Sequence, residues 1–378
     1  MSSQRETEIK DAVAKFESLL RNQIERNDRI KDNIKVDKKA KIIGICDGDG
    51  IGPIITKAAR SVLDVLLDSE DVIIKEINGF NLANRLKEGK TVPDDILAEI
   101  KSCDVLLKGP TTTPSAESGV NNIESANVFL RKELDLFANV RPVTIPDKNI
   151  DWIFFRENTE GEYALGSQGI EISETLAFDF KVTTKEGTKR IAKLAFDYAN
   201  NNNKERVSIV TKANIMKKTD GNFLNLCKEV ALDYPNIKVD SWYVDIMAAN
   251  LINNDMNKDF QVFILPNLYG DIITDEAAQL QGGVGTAGSA NIGSNYAMFE
   301  AIHGSAPRMI EDGLEAYANP SSILRATSMM LRHIGLNEKA KLLDEAIDKA
   351  LEEGINVTGL KDGNTCEELT KYVLEYIR

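Results

Sequence analysis

The chain has 378 residues, long enough for two domains, and its 42% hydrophobic and 28% charged content is that of a soluble globular protein and not of a disordered one. Lysine and arginine total 46 against 59 aspartate and glutamate, so a net charge of -13 opposes binding to nucleic acid or an anionic membrane, and an anionic ligand needs locally concentrated cations. Cys46, Cys103, Cys227 and Cys366 are widely spaced with no Cys-x-x-Cys, which reads as reduced thiols, and no apolar run reaches membrane-spanning length.

Residues 5–35 place Ile9, Val13, Phe16, Leu20 and Ile24 at three- and four-residue steps between charges, which predicts an amphipathic helix. Its stripe can pack on the chain's own core or on a partner, or stay solvated and loosely attached. Residues 1–39 carry neither an apolar signal core nor the acid-poor composition of a transit peptide, so a cytoplasmic location is expected. From residue 41 a strand (Ile42–Cys46), a glycine turn (Gly48–Gly52), a helix (about Ile54–Leu67) and a strand (Val72–Ile77) follow one another. The alternation continues through strands predicted at Val105–Leu107, Trp152–Phe155, Val207–Val210 and Val262–Leu265, and helices dominate after Pro320. Such units predict an α/β architecture with a mainly parallel sheet.

The glycine turn Gly48-Asp-Gly-Ile-Gly52-Pro53 invites comparison with a dinucleotide-binding fingerprint, but single residues separate its three glycines and no clear acid ends the next strand. A tight strand-to-helix turn suffices to explain it, and a Rossmann phosphate site is not expected. Lys108-Gly-Pro-Thr-Thr-Thr-Pro114 also follows a strand. Its hydroxyls and amides suit a carboxylate, phosphate or ribose, and a plain turn explains them as well. Arg131, Arg141 and Arg156 sit among apolar neighbours, where a guanidinium needs an anionic partner. That partner is either a ligand carboxylate or an internal acid such as Glu133, Asp135 or Glu157. Asp271 and Asp275, four residues apart after Gly270, stack on one face of a helix that Gly270 is expected to open. A hard divalent cation would turn their repulsion into affinity; a helix N-terminus that favours acids is the alternative.

The series Gly48–Pro53, Lys108–Pro114, Ser125–Pro142, Arg156–Tyr163, Lys212-Ala-Asn-Ile-Met216, Asp245, Asn267–Asp275 and His303-Gly-Ser-Ala-Pro307 resembles the isocitrate/isopropylmalate dehydrogenase family, in family order from about residue 40 to 378. The resemblance implies an isopropylmalate dehydrogenase-like fold, unlike Rossmann, with a mainly parallel sheet and a central cleft. Its parts would be an N-terminal extension (1–39), a large cofactor-side domain (40–138 and 283–378) and a small dimerisation and metal-side domain (139–282). It implies a homodimer with shared active sites, open to further assembly through the leading helix, and oxidative decarboxylation of isocitrate with Mg²⁺ or Mn²⁺ and NAD or NADP. Arg131, Arg141 and Arg156 match the clamp on the malate moiety, and Ser125 and Asn127 match the contacts to the distal carboxylate. Asp271 and Asp275 match the metal ligands, joined by Asp245 of the neighbouring chain. Lys212 matches the lysine that assists removal of the hydroxyl proton, and Tyr163 the acid that protonates the enolate carbon. Thr112, Thr113, His303, Gly304, Ser305, Ala306, Arg308 and Asn319 match cofactor-contacting positions.

The serine–asparagine pair would leave hydrogen bonds unpaired against an isopropyl group, which favours isocitrate over isopropylmalate; homoisocitrate stays open. Arg308 stands where NAD-dependent members usually carry an aspartate, and its charge suits a 2′-phosphate. The Tyr and Arg of bacterial NADP-dependent enzymes, however, have no counterpart in Val357–Asp362, so the choice of nucleotide stays open. The segment between Pro114 and Ser125 is long for the family. A non-catalytic subunit of a hetero-oligomeric dehydrogenase is the alternative of another class, set against the retention of Tyr163, Lys212, Asp245, Asp271 and Asp275.

Overall fold

A computed structural model describes residues 3–31, 42–114, 123–166, 168–172 and 175–378. The long segment after Pro114 and the end of the N-terminal extension therefore lie partly outside the described residues. The chain divides into two compact units: unit I comprises residues 1–35 and 145–276, unit II residues 36–144 and 277–378.

Unit II contains β1 (Ile42–Cys46), α2 (Gly52–Leu66), β2 (Ile73–Ile77), α3 (Leu82–Glu88), α4 (Asp94–Lys101), β3 (Val105–Lys108), α5 (Ala126–Glu133) and β4 (Ala138–Ile145). After the crossing into unit I it resumes with β11 (Gly288–Ile292), β12 (Ala297–Ala301), α10 (Pro307–Glu311), α11 (Ser321–His333), α12 (Asn337–Glu352) and α13 (Cys366–Ile377). Its strands run in the order β2-β1-β3-β12-β11-β4. Neighbours are parallel except β11, which is antiparallel to both β12 and β4. Every residue of β3 and β12 is buried, as expected of central parallel strands covered on both faces. Gly288 lets β11 approach α11, since a Cβ there would lie 2.4 Å from the Ala326 amide nitrogen.

Unit I contains α1 (Ser3–Lys31), β5 (Ile150–Glu157), a small hairpin of β6 (Ile170–Ile172) and β7 (Leu176–Phe178), α6 (Lys185–Asn201), β8 (Arg206–Thr211) and α7 (Thr219–Ala231). It continues with β9 (Lys238–Tyr243), α8 (Val244–Leu251), β10 (Val262–Leu265) and α9 (Asn267–Gln281). Strands β5-β10-β8-β9 are parallel throughout. Its core is aromatic: Phe154 stacks on Phe263 at 4.3 Å, and Trp152 meets Phe263 edge-on at 6.0 Å. The α/β alternation with a mainly parallel sheet is thus as the sequence predicts.

Helix α1 forms where its periodicity predicts, yet a different seam is buried. Leu19 is inside, whereas Ile9, Val13, Phe16, Leu20 and Ile24 face water, Val13 being 61% exposed. Beneath the helix one aromatic contact, Phe16 on Phe180 at 5.2 Å, is joined by polar ones. Lys15 donates to the Gly169 carbonyl (2.6 Å) and Arg26 pairs with the buried Glu160 (3.5 Å), so the face that can satisfy those groups turns inward. The four cysteines are buried free thiols. No helix among the described residues is long and apolar enough to cross a membrane.

Candidate active site

In unit I the site is built where β5 ends and α9 begins. Helix α9 starts at Asn267, not at Gly270 as the glycine suggests, and Asp271 and Asp275 share a face beyond its first turn. Gly270 has another purpose: a Cβ there would lie 2.4 Å from Cγ of Arg156. That side chain, 1% exposed, fills the space. Its Nε and Nη2 donate to Oδ1 of Asn267 (3.0 and 2.8 Å), and its Nη1 donates to Oδ1 of Asp271. Tyr163 donates its hydroxyl to the other Asp271 oxygen at 2.8 Å, and the Arg156 guanidinium lies 5.5 Å from the Tyr163 ring centroid.

The loop between Arg156 and Tyr163 is fixed by Glu157, a buried acid whose oxygens accept from the Thr159 amide and hydroxyl (both 2.9 Å) and the Glu160 amide (2.7 Å). Burial, then the neighbouring Glu160 charge, raises the Glu157 carboxyl above its ordinary range. Gly161 has φ 70°, and its Cβ would meet Cβ of Asn267 at 2.9 Å. Asn267 in turn donates to the Glu160 carbonyl at 2.9 Å. It is therefore the hub that joins the Tyr163 loop to the carboxylate helix, a role that its place in the Asn267–Asp275 stretch did not reveal.

Lys212 follows β8 and donates to Asp245 in the first turn of α8, while its own amide donates to Asp220 at 2.7 Å. The Lys212 hydrogen bond lowers the exposed Asp245 carboxyl. Asp245 is not brought to the Asp271–Asp275 face: among the described residues no three His, Cys, Asp or Glu side chains gather closely enough to hold an ion. The two carboxylates are nevertheless hard-oxygen donors of the kind a Mg²⁺-like cation takes together with substrate oxygens and water. The elements around Lys212 and Asp245 also expose Ile215, Met216, Tyr243 and Ile246.

In unit II a cavity of about 110 Å³ is lined by Thr111, Asn127, Arg131, Arg141, Glu300 and His303 among others. Asn127 and Arg131 stand one turn apart on α5, and Thr111 donates to Asn127 at 3.1 Å. Ser125 is the N-cap of that helix and makes no side-chain cap bond. Glu300, on β12, is the acid the sequence reading missed. It pairs with Lys108 (3.1 Å) and Arg131 (3.2 Å) and accepts from Asn291 (2.8 Å). Burial alone would raise its carboxyl, but Lys108, Arg131 and these hydrogen bonds prevail and hold it at about 2. Nε of Arg131 is buried with no hydrogen-bond partner among the described residues. Of the internal acids considered for the arginines, Glu133 pairs with Lys101 (2.5 Å) and Glu157 takes the backbone bonds above.

The glycine turn does more than reverse the chain. At Gly50 (φ 59°) a Cβ would lie 2.0 Å from the Ser305 carbonyl, and the Ile51 amide donates to that carbonyl at 3.0 Å. Asp49 accepts from the Thr112 amide (2.8 Å), and Thr112 and Ser305 share a hydroxyl–hydroxyl bond of 2.7 Å. The fully buried Arg85 donates to the carbonyls of Thr91, Thr112 and Glu124 (2.8, 2.9 and 3.3 Å). These bonds bring Thr112, Ser305 and the residue before Ser125 onto one frame; Thr113 is exposed. His303 lies beside the cavity with Nδ1 3.0 Å from the Gly304 carbonyl and Nε2 buried without a partner among the described residues, and burial lowers its pKa. Ala306 adopts φ 45° to start α10, on which Arg308 is exposed. Asn319 donates to the Val357 carbonyl and accepts from the Ser321 amide, each at 2.9 Å.

Residues 42–373 match the family model described as isocitrate/isopropylmalate dehydrogenase. The chain is 37% identical over 347 residues to a probable NAD isocitrate dehydrogenase subunit alpha, mitochondrial, of Drosophila melanogaster, covering 88% of this chain and 86% of that protein. It is 40% identical over 326 residues to an NADP isocitrate dehydrogenase of Rickettsia prowazekii, covering 83% of this chain and 64% of that one. The crystal structure of an isocitrate dehydrogenase from Methylococcus capsulatus superposes with a TM-score of 0.78 at 35% identity, covering 89% of this chain and 99% of the other.

Proposed function

The chain belongs to the isocitrate/isopropylmalate dehydrogenase family and is most like its isocitrate dehydrogenases, and on that premise we propose that it converts isocitrate to 2-oxoglutarate and CO₂, passing a hydride to NAD or NADP. The observation that carries this reading is the Arg156–Asp271–Tyr163 constellation, in which a buried guanidinium and a phenol converge on one carboxylate.

Arg131, Arg141 and Arg156 bind the carboxylates of the malate moiety through planar donor forks. Nε of Arg131, left without a partner at the cavity, supports an anionic ligand there. Ser125 and Asn127 hydrogen-bond the distal carboxylate, which disfavours an alkyl group in its place. Asp271 and Asp275, with the partner subunit's Asp245, would hold Mg²⁺ or Mn²⁺. Such a cation supplies positive charge opposite the oxygen that becomes negative during reaction. The partner subunit's Lys212 accepts the hydroxyl proton as hydride leaves the carbinol carbon, and after CO₂ departs Tyr163 gives a proton to the enolate carbon. A homodimer is supported by the exposed apolar side chains around Lys212 and Asp245, and by the absence of a third nearby acid beside Asp271 and Asp275 among the described residues.

Thr112, Thr113, His303, Gly304, Ser305, Ala306 and Asn319 form the nucleotide side, and Arg308 reads the ribose 2′ position. The buried, unpartnered Nε2 of His303 supports a ligand beside that loop. Purified protein alone is to be assayed with isocitrate, homoisocitrate and 3-isopropylmalate, each with NAD and with NADP, before and after chelation. Chelator-sensitive turnover of isocitrate above the other two is expected. No turnover by the chain alone would favour a non-catalytic subunit, and isopropylmalate as best substrate would refute the roles of Ser125 and Asn127.

A further inference from the structure

We propose that the water-facing stripe of α1 is a docking surface for a second copy of this chain, which associates through it as an antiparallel helix pair. Ile9, Val13, Phe16 and Leu20 recur at steps of four, three and four residues, the a/d spacing of a helix–helix seam, and Ile24 extends the stripe. All five are exposed while Leu19 of the same helix is buried. From Ile9 to Ile24 the stripe spans 16 residues, about 22 Å along the helix. It lies beside the face that α1 already uses, so docking leaves the Arg26–Glu160 and Phe16–Phe180 contacts in place.

Charge decides both the occupant and its direction. In a parallel pair Arg5 of one copy would face Lys10 of the other, like against like. In an antiparallel pair Ile9 lies opposite Leu20 and Val13 opposite Phe16. Lys10 of each copy then comes within about 3 Å, along the axis, of Glu17 of the other. The twofold repeats that attraction. Glu17 is already oriented by Arg21 at 2.5 Å. The surface lies outside the residues 42–373 that match the family, and none of its five apolar residues is among those assigned to substrate, metal or nucleotide.

The test is the mass of the full-length protein by light scattering and sedimentation equilibrium. Wild type is expected to have twice the mass of Val13→Glu/Leu20→Glu; both positions are exposed, so circular dichroism of the variant should match wild type. Equal masses overturn the proposal. Lys10→Glu and Glu17→Lys should each raise the α1-dependent dissociation constant about ten-fold, and the double exchange should restore it. Failure of the double variant to recover overturns the antiparallel pairing. Turnover measured on the same samples reports the chemistry separately, because no residue changed here belongs to the site.

Discussion

Replacing Glu300 by glutamine removes the counter-charge of two cations while preserving shape. Lys108 and Glu300 are 0% and 6% exposed, so the variant leaves an ammonium buried without its carboxylate; breaking such a pair costs about 3–5 kcal/mol. The depressed carboxyl leads to a similar figure. The carboxyl is held at about 2 against an ordinary 4.5, and a downward shift of that size corresponds to roughly 3 kcal/mol. Because the folded pKa is depressed, this stabilisation is present above pH 4.5 and is lost as pH falls toward 2. Urea unfolding followed by circular dichroism should therefore show a lower midpoint for Glu300→Gln at pH 7, and a gap from wild type that narrows on acidification. Lys108→Met/Glu300→Leu, which removes both charges, should recover much of the loss. A Glu300→Gln protein within about 1 kcal/mol of wild type at pH 7 would refute the claim that Glu300 balances the cations of unit II.

Gly270→Ala is expected to keep the fold but displace Arg156, because the new methyl carbon would sit 2.4 Å from Cγ of that side chain; kcat/KM should fall about 100-fold. Unchanged kinetics would mean that the Arg156 position is immaterial. Glu157→Gln addresses a carboxyl raised by burial and by Glu160. A raised folded pKa gives stability that is full below 4.5 and declines as pH climbs through the folded value. Stability measured from pH 4 upward should lose that decline in the variant, and a persisting slope of the same size would assign it to another group.

The alternating strands and helices were legible because buried parallel strands such as Val262–Leu265 are short, continuous apolar runs bounded by turns. Strands β11 (Gly288–Ile292) and β12 (Ala297–Ala301) were not: Gly-Ser-Ala-Asn-Ile has no apolar period, and its small residues are set by the approach of α11. The same limit applies to the site. Arginines among apolar neighbours announced a need for anions, but the partners, Glu300 and Asp271, lie 169 and 115 residues away in sequence. Asp49 and Arg85 were silent for a related reason: their bonds go to backbone groups of remote loops, which no side-chain pattern records. For α1 the period located the helix but left open what its stripe meets, because periodicity identifies an apolar stripe without saying what covers it.

The two readings of Asp271 and Asp275 can now be weighed on physical grounds. A helix dipole favours acids within the first turn and fades beyond it. Helix α9 has no acid in its first turn: Asn267 begins it and Asp271 is the fifth residue. Dipole stabilisation therefore does not account for the two stacked carboxylates. What Asp271 has instead is a buried guanidinium on one oxygen and a phenol on the other. Both groups also donate naturally to an anionic substrate, so a bound cation and substrate can take over partners that in this chain face each other. The four-residue spacing is thus better accounted for by the cation proposed above than by the start of the helix.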